Sequence, residues 1–282
     1  MVNLSRYGER AIVGILVVIG FSIFLTTVLF PFYWMIISSM KNMGELFAWP
    51  PVFVPSELDF GAYWSVLFEH GFLTYMKNSA IVTLSTVLLT ISLGTLGAYA
   101  VTRLYFKGKH LMQRSILLIY MFPPIVLVIP LYVLMSTLGL RDSLGGLVLV
   151  YLAQTLPVSL YMLSSYFKQL PPDLEEAGLV DGCNRLEVIW RITIPLSVPA
   201  IMSVALYTFM IAWNEFLFAF MFLDSTNKFT LPIGMQHLFS SYHTAWDKVM
   251  AAGMIITIPI VIIFLIFERY MIRGLTAGSI KG

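Results

Sequence analysis

The spacing of charges constrains this chain more than any other feature. Thirty uncharged residues, 11–40, separate Arg10 from Lys41. Uncharged stretches of 25, 26 and 25 residues follow between Lys77 and Arg103, Arg114 and Arg141, and Asp142 and Lys168. Ile192 to Leu223 holds one charge, Glu215, in 32 residues, and Val249 to Phe267 holds none in 19. A transmembrane helix needs about 20 predominantly apolar residues. The spacing therefore predicts six spans, roughly 12–37, 76–102, 113–138, 146–167, 196–223 and 250–271. The apolar runs are continuous, as in Ala11–Val18 and Ile255–Phe267, which fits helices and not the alternating strands of a membrane barrel. The first run is too long for a cleaved signal peptide, and no small-residue cleavage site follows it. Phe32-Tyr33-Trp34 at its far end reads as an interfacial aromatic belt.

Composition closes off the other classes. Charged residues make up 11% of the chain and hydrophobic ones 59%. A soluble domain carries about 25% charged residues, so a soluble enzyme is excluded, and a disordered chain needs the opposite balance. A net charge of +2 gives no basic excess for nucleic acid, and a single cysteine excludes an internal disulfide or a cysteine-based zinc site.

Orientation follows from lysine and arginine. With the N-terminus inside, 12 of the 17 cations fall on inner segments, while the acids divide seven and seven with Glu215 in a span. A bias confined to Lys and Arg is the positive-inside signature, so both termini are expected in the cytoplasm. The segment of about 38–75 then lies outside. Trp49-Pro50-Pro51 and Pro55 argue against a further span there; its aromatic residues fit a packed cap or a surface that receives a partner. Prolines 31, 123, 124, 130, 157 and 259 lie in or near spans, as in the broken helices of transporters.

The inner segment after span four is the most structured polar stretch. Pro171-Pro172 stops the span, and Asp173 with Glu176 three residues on reads as a capping box for a helix to about Val180. Asp181-Gly182 reads as a turn. Asn184 with Glu187 reads as a second capping box, for a helix ending before Pro195. An ordinary polar loop, an interfacial helix and a docking element all fit this pattern.

Here the sequence resembles a known family. Glu176-Ala177-Gly178, three residues, Gly182, nine residues, then Ile192-Thr193-Ile194-Pro195 is similar to the EAA loop of ABC-importer permeases, with Gly178 in place of a second Ala and Ile194 in place of Leu. Ser38-Ser39-Met40-Lys41, Trp49-Pro50-Pro51, Asn78-Ser79, Ala212-Trp213-Asn214-Glu215-Phe216 and the ending Gly274-Leu275-Thr276-Ala277-Gly278-Ser279-Ile280-Lys281-Gly282 resemble carbohydrate-importer permeases of the MalG type. The resemblance covers nearly the whole chain. It implies an all-α membrane protein of the type I importer permease fold. Residues 1–74 would form the first span and outer segment, 75–270 the permease core with the EAA loop at 171–195, and 271–282 a cytoplasmic tail.

The resemblance also implies partners: a homologous second permease, two cytoplasmic ATPase subunits, an extracytoplasmic solute-binding protein and the lipid bilayer. Glu176, Ala177, Gly178, Asp181, Gly182, Ile192 and Pro195 would couple to the ATPase, and Gly274, Leu275, Thr276, Gly278 and Lys281 would reach it from the tail. It implies import of a sugar through the cell (inner) membrane, with a polyol, glycerol 3-phosphate or another non-sugar solute as the alternative.

The residues themselves agree with that division. A P-loop needs Gly, four residues, then Gly-Lys and Ser or Thr; the only Gly-Lys pair, Gly108-Lys109, is followed by His110 and has Arg103 where the first Gly belongs. ATP and Mg are therefore expected in a partner and no cofactor in this chain. No serine-nucleophile or zinc-hydrolase motif occurs, which argues against a membrane enzyme; a non-transporting scaffold is the remaining alternative. His70, His110, His237 and His243 lack metal-ligand spacing, and Cys183 reads as a small apolar residue. Glu215, the lone intramembrane acid, joins Trp213 and Asn214 as a candidate for the substrate pathway; a structural hydrogen bond or a place near the outer interface explains it equally well.

Overall fold

The computed structural model describes residues 3–239 and 245–277. Among them the chain is helical, with no strand. The helices that matter here are α1 (Asn3–Ser38), α2 (Phe72–Arg103), α3 (Lys109–Tyr120), α4 (Pro124–Thr137), α5 (Leu144–Phe167), α6 (Pro172–Val180), α7 (Arg185–Leu196), α8 (Val198–Asn214), α9 (Leu217–Phe222), α10 (Leu231–Phe239) and α11 (Trp246–Ala277).

Four of these, α1, α2, α5 and α11, are long and apolar enough to cross a membrane; α7 and α8 reach that length and apolarity only as a pair, and the pair is bent by 81° between them. Two expected spans differ from the sequence reading. The span expected over 113–138 is broken between α3 and α4, where Pro123 has an extended ψ of 132°. Consecutive prolines explain the break: neither donates an N–H, and Pro124 disfavours the α conformation at the residue before it. The span expected over 196–223 is helical only to Asn214, pauses at Glu215 and Phe216, and resumes as the short α9.

The chain divides into two compact units, residues 1–70 with 238–256 and residues 71–237 with 257–282. In the first, the segment after α1 is a packed cap. Tyr33 donates to the carbonyl of Phe53 at 2.6 Å, and the Ser39 and Tyr63 hydroxyls lie 2.7 Å apart. Lys41 sits over the Trp34 ring, 4.4 Å from its centroid, and donates to the Val52 carbonyl. Glu45 accepts the amide of Ser56 at 3.0 Å. These bonds make Ser39 and Lys41 of the Ser38–Lys41 motif internal fastenings, whereas Trp49 is 90% exposed.

In the second unit, α2, α5 and α8 pack against one another and α3 lies on α5. The α2–α5 seam is built as membrane helices require, from small residues that let backbones approach. A Cβ on Gly94 would stand 3.3 Å from Leu163 Cδ1, and one on Gly97 would stand 2.6 Å from Leu160 Cδ2. The buried hydroxyls of Thr90 and Thr155 bridge the same seam at 3.0 Å; such a bond contributes about 0.6 kcal/mol in a membrane. Apolar clusters fill both ends of the bundle: Tyr151, Phe218 and Phe222 near one, Tyr99, Leu163 and Phe167 near the other.

Candidate functional site

The inner loop folds as two helices joined by a tight turn. α6 begins on proline: Pro171 is the cap residue, Pro172 the first residue, and no side chain caps the end. The capping box expected from Asp173 and Glu176 is therefore not formed; Asp173 lies inside the first turn. Proline fits there because its missing N–H is one the helix would leave free anyway. At the other end Gly182 adopts φ +92°, with Gly182 N–H donating to Leu179 at 3.2 Å and Cys183 N–H to Gly178 at 3.0 Å. This paired closure needs a left-handed residue, which glycine supplies without strain. The second capping box forms as expected: Glu187 N–H donates to Asn184 Oδ1 at 3.0 Å, and Asn184 N–H to Glu187 Oε2 at 2.8 Å. α7 then continues through Pro195 to Leu196, after a π-helical turn over Ile189–Thr193.

Gly178 is where the two helices meet. A Cβ there would stand 2.5 Å from Ile192 Cδ1 and 3.5 Å from Val188 Cγ2. Of the expected coupling residues, Gly178 is buried and Ile192 half-buried against it, while Glu176, Ala177, Asp181, Gly182 and Pro195 are exposed. Apolar side chains are exposed on the same two helices: Leu174, Val180, Leu186 and Trp190.

A buried ion pair fixes this loop to the bundle, and sequence reading missed it. Glu175, only 4% exposed, takes Arg103 Nε on Oε1 at 3.0 Å, with Thr193 Oγ1 at 3.4 Å. The Arg103 Nη2 donates to the carbonyls of Phe167 and Leu170, both at 2.9 Å. One guanidinium thus ties the ends of α2 and α5 to α6. Its planar fork of donors suits that task.

The second candidate group lies at the break between α8 and α9. Glu215 Oε1 accepts Phe218 N–H at 2.9 Å and Oε2 accepts Ala219 N–H at 3.0 Å, so the carboxylate caps α9. Asn214 donates back to the Met210 carbonyl at 2.9 Å, and Trp213 is buried, stacked on Phe209 at 5.3 Å. Glu215 thus caps the helix after the break, while Asn214 and Trp213 make these contacts within the end of α8. Beside them is a cavity of about 220 Å³ whose lining includes Phe122, Gln154, Pro157, Tyr207 and Phe218. Gln154 Oε1 is buried without a hydrogen-bond partner. A scan for charge passes over Gln154; the only signal was an amide within an apolar run.

At the same end of the unit, Asp142 organises the loop after α9, its own N–H donating to the Phe222 carbonyl at 2.9 Å. Its backbone is left-handed, φ 49°. Oδ1 accepts the amides of Asp224 and Ser225, each at 3.0 Å, and Oδ2 accepts the Ser225 hydroxyl at 2.5 Å and Lys228 Nζ at 2.9 Å. The Ser225 hydroxyl, then Lys228 and the two amides, hold this carboxyl well below the usual carboxylate range, against a smaller opposing effect of burial. Asn78 Nδ2 donates to the carbonyls of Asn227 and Phe229 at 2.9 Å each, and Ser79 Oγ accepts Leu231 N–H at 2.8 Å. The Asn78-Ser79 motif thus pins the other side of the same loop.

Of the expected tail, Gly274, Leu275 and Thr276 lie in the last turns of α11, whereas Gly278 and Lys281, like His243, lie outside the described residues. Among the described residues no group of three His, Cys, Asp or Glu side chains could hold a metal ion.

Comparison with known proteins agrees with this architecture. Residues 90–277 match the family model described as binding-protein-dependent transport system inner membrane component. The chain is 41% identical to the trehalose/maltose transport system permease protein MalG of Thermococcus litoralis, over 97% of this chain and 99% of that one. It is 40% identical to the inner membrane ABC transporter permease protein YcjP of Escherichia coli K12, over 93% and 95%. A chain in the crystal structure of a bacterial ABC transporter involved in the import of the acidic polysaccharide alginate has the same fold, with a TM-score of 0.81 at 24% identity over 93% and 97%.

Proposed function

This chain belongs to the family of binding-protein-dependent transport system inner membrane components, and from that premise we propose that it is a permease subunit of an ATP-driven sugar importer, forming half of the translocation pathway. It is a membrane protein whose relatives are transporter permeases, not enzymes. A homologous second permease completes the pathway. Two cytoplasmic ATPase subunits, which bind ATP and Mg, sit beneath, and an external binding protein delivers a di- or oligosaccharide. Six spans, counting α3–α4 as one and α8–α9 as another, would leave both termini on one side, and the lysine and arginine bias supports the cytoplasm as that side.

The observation that carries the reading is the construction of the inner loop. α6 and α7 are locked together at Gly178 and Gly182, anchored to two membrane helices through Arg103, and present Leu174, Val180, Leu186 and Trp190 to solvent. A loop that only connected two spans needs neither a buried ion pair nor an exposed apolar surface. A coupling element needs both: a surface for the ATPase and a rigid attachment that turns movement of that ATPase into movement of helices. Alternation between inward- and outward-open states then requires that nucleotide and solute bind the two states with different affinities.

The cavity beside Gln154 favours a neutral solute over glycerol 3-phosphate, since its lining has an amide and aromatic rings and no lysine or arginine. Gln154 contributes the amide to that lining, a group that pairs with sugar hydroxyls. The test is ATPase activity of the purified complex in proteoliposomes, with the loaded binding protein added across a panel of disaccharides, oligosaccharides and glycerol 3-phosphate. Stimulation by one or a few neutral saccharides is expected. Stimulation by the phosphate ester alone, or by none of the panel with uptake absent, would overturn the sugar reading.

A further inference from the structure

A second cavity, of about 270 Å³, opens where the end of α2, the start of α3 and the end of α5 come together. Three cationic or protonatable side chains line it: His110, Arg114 and Lys168. None of them has an ion-pair partner among the described residues, and no Asp or Glu contributes to the lining. Ser164 and Ser165 add two hydroxyls that make no hydrogen bond among the described residues. The wall is held in shape by Gln113, which donates to the Val101 carbonyl at 2.9 Å and so fastens α3 to α2. Ile116 and Leu160 give the cavity an apolar side.

Unpaired cations converging with free hydroxyls form a site for a compact anion with several acceptor oxygens. Phosphate has that chemistry. The place in the fold narrows the source. All three helices begin or end here, so in the proposed orientation the cavity lies at the cytoplasmic boundary of the membrane, where lipid headgroups sit. Basic pockets between membrane helices at that boundary take anionic headgroups, and the apolar side suits the glycerol and first methylenes of a lipid. We propose that this cavity holds a phosphate group, that of an anionic phospholipid of the inner leaflet.

The siting at the inner boundary rests on the importer reading; the binding chemistry does not. The test uses the full importer complex. Delipidated complex is given mixed phosphatidylglycerol and phosphatidylethanolamine, and retained lipid is counted by native mass spectrometry. Each charge-assisted hydrogen bond to the phosphate is worth about tenfold or more in affinity, so Arg114→Gln with Lys168→Gln should weaken phosphatidylglycerol retention roughly 100-fold. Lys107→Gln with Arg269→Gln, which removes two other cations, should leave it unchanged. A parallel calorimetric titration with inorganic phosphate separates the sources: a saturable heat lost in the Arg114/Lys168 variant, with lipid retention unaltered, keeps the phosphate site and assigns it a soluble ligand. Equal retention and equal phosphate heat in wild type and variant, or equal losses in both double variants, overturns the proposal. Sugar uptake by the wild-type complex is measured alongside. Uptake without a phosphate site sinks only the pocket, and a phosphate site without uptake sinks only the importer reading.

Discussion

Arg103 Nε stands 3.0 Å from Glu175 Oε1, while the same guanidinium holds the carbonyls of Phe167 and Leu170. Removing one partner of a buried pair leaves an uncompensated charge and costs about 3–5 kcal/mol. Arg103→Ala is therefore expected to unfold far earlier than wild type in detergent. Glu175→Gln also leaves Arg103 without its counter-charge but keeps an oxygen for it and for Thr193, so it should insert, lose less stability than Arg103→Ala, and take up less sugar per ATP hydrolysed. An unchanged ratio of uptake to hydrolysis in Glu175→Gln would remove the pair from the coupling path.

Gly182 sits at φ +92° with open space around its Cα, so a side chain there meets backbone strain and no clash. Gly182→Val should cost about 1–2 kcal/mol through the left-handed backbone and free α6 from α7. Hydrolysis is expected to persist without stimulation by loaded binding protein. Gly178→Ala is the contrasting variant: its Cβ crowds the end of a flexible side chain, Ile192 Cδ1, and meets Val188 Cγ2 at ordinary contact distance, so near-normal coupling is expected. Equal behaviour of the two variants would count against the turn as the orienting element.

Asp142 gives a pH signature. Its folded carboxyl lies below its unfolded value, held there mainly by the Ser225 hydroxyl. A depressed carboxylate stabilises the fold fully above the unfolded pKa of about 3.9, and that contribution fades as pH falls from there through the folded value. Asp142→Asn keeps a residue that tolerates the left-handed backbone and removes the charge. It should lower stability by about 1–2 kcal/mol near neutrality. Thermal unfolding should give a gap between the proteins that is constant above about pH 5 and closes below about pH 4. A gap that widens in acid would contradict this assignment.

Gln154 and Glu215 are expected to separate solute contact from scaffold. Gln154→Leu removes a buried acceptor that has no partner, so it should leave stability unchanged or raise it by about 1 kcal/mol while slowing uptake. Glu215→Gln keeps one acceptor for the Phe218 amide and should transport, whereas Glu215→Ala loses the cap on α9 and about 1 kcal/mol. Normal uptake by Gln154→Leu, or failure of Glu215→Gln with the fold intact, would reverse the two roles.

What the sequence revealed was local or additive. Charge spacing located the apolar helices because each span must exclude charge on its own. Asn184, Glu187 and Gly182 were readable because their partners lie within a turn of the chain. Asp173 misled because Pro171 and Pro172 occupied the start of α6, and a pattern of four residues does not see that competition. Arg103 with Glu175 and Asp142 with Lys228 lie 72 and 86 residues apart, and nothing in a charge map pairs them. Counting charge singled out Glu215, and the cap it places on α9 could not be read from charge alone; the neutral Gln154 left no mark on a charge map.

The central claim, that α6 and α7 form the surface on which an ATPase docks, is tested most directly by cross-linking. Val180 is 86% exposed at the tip of α6, and a photoreactive residue placed there samples whatever covers that tip in the intact importer in its membrane. The account predicts a specific cross-link to the ATPase subunit, changing in yield when ATP is bound. Cross-links to lipid alone, with the ATPase still present in the complex, would contradict it.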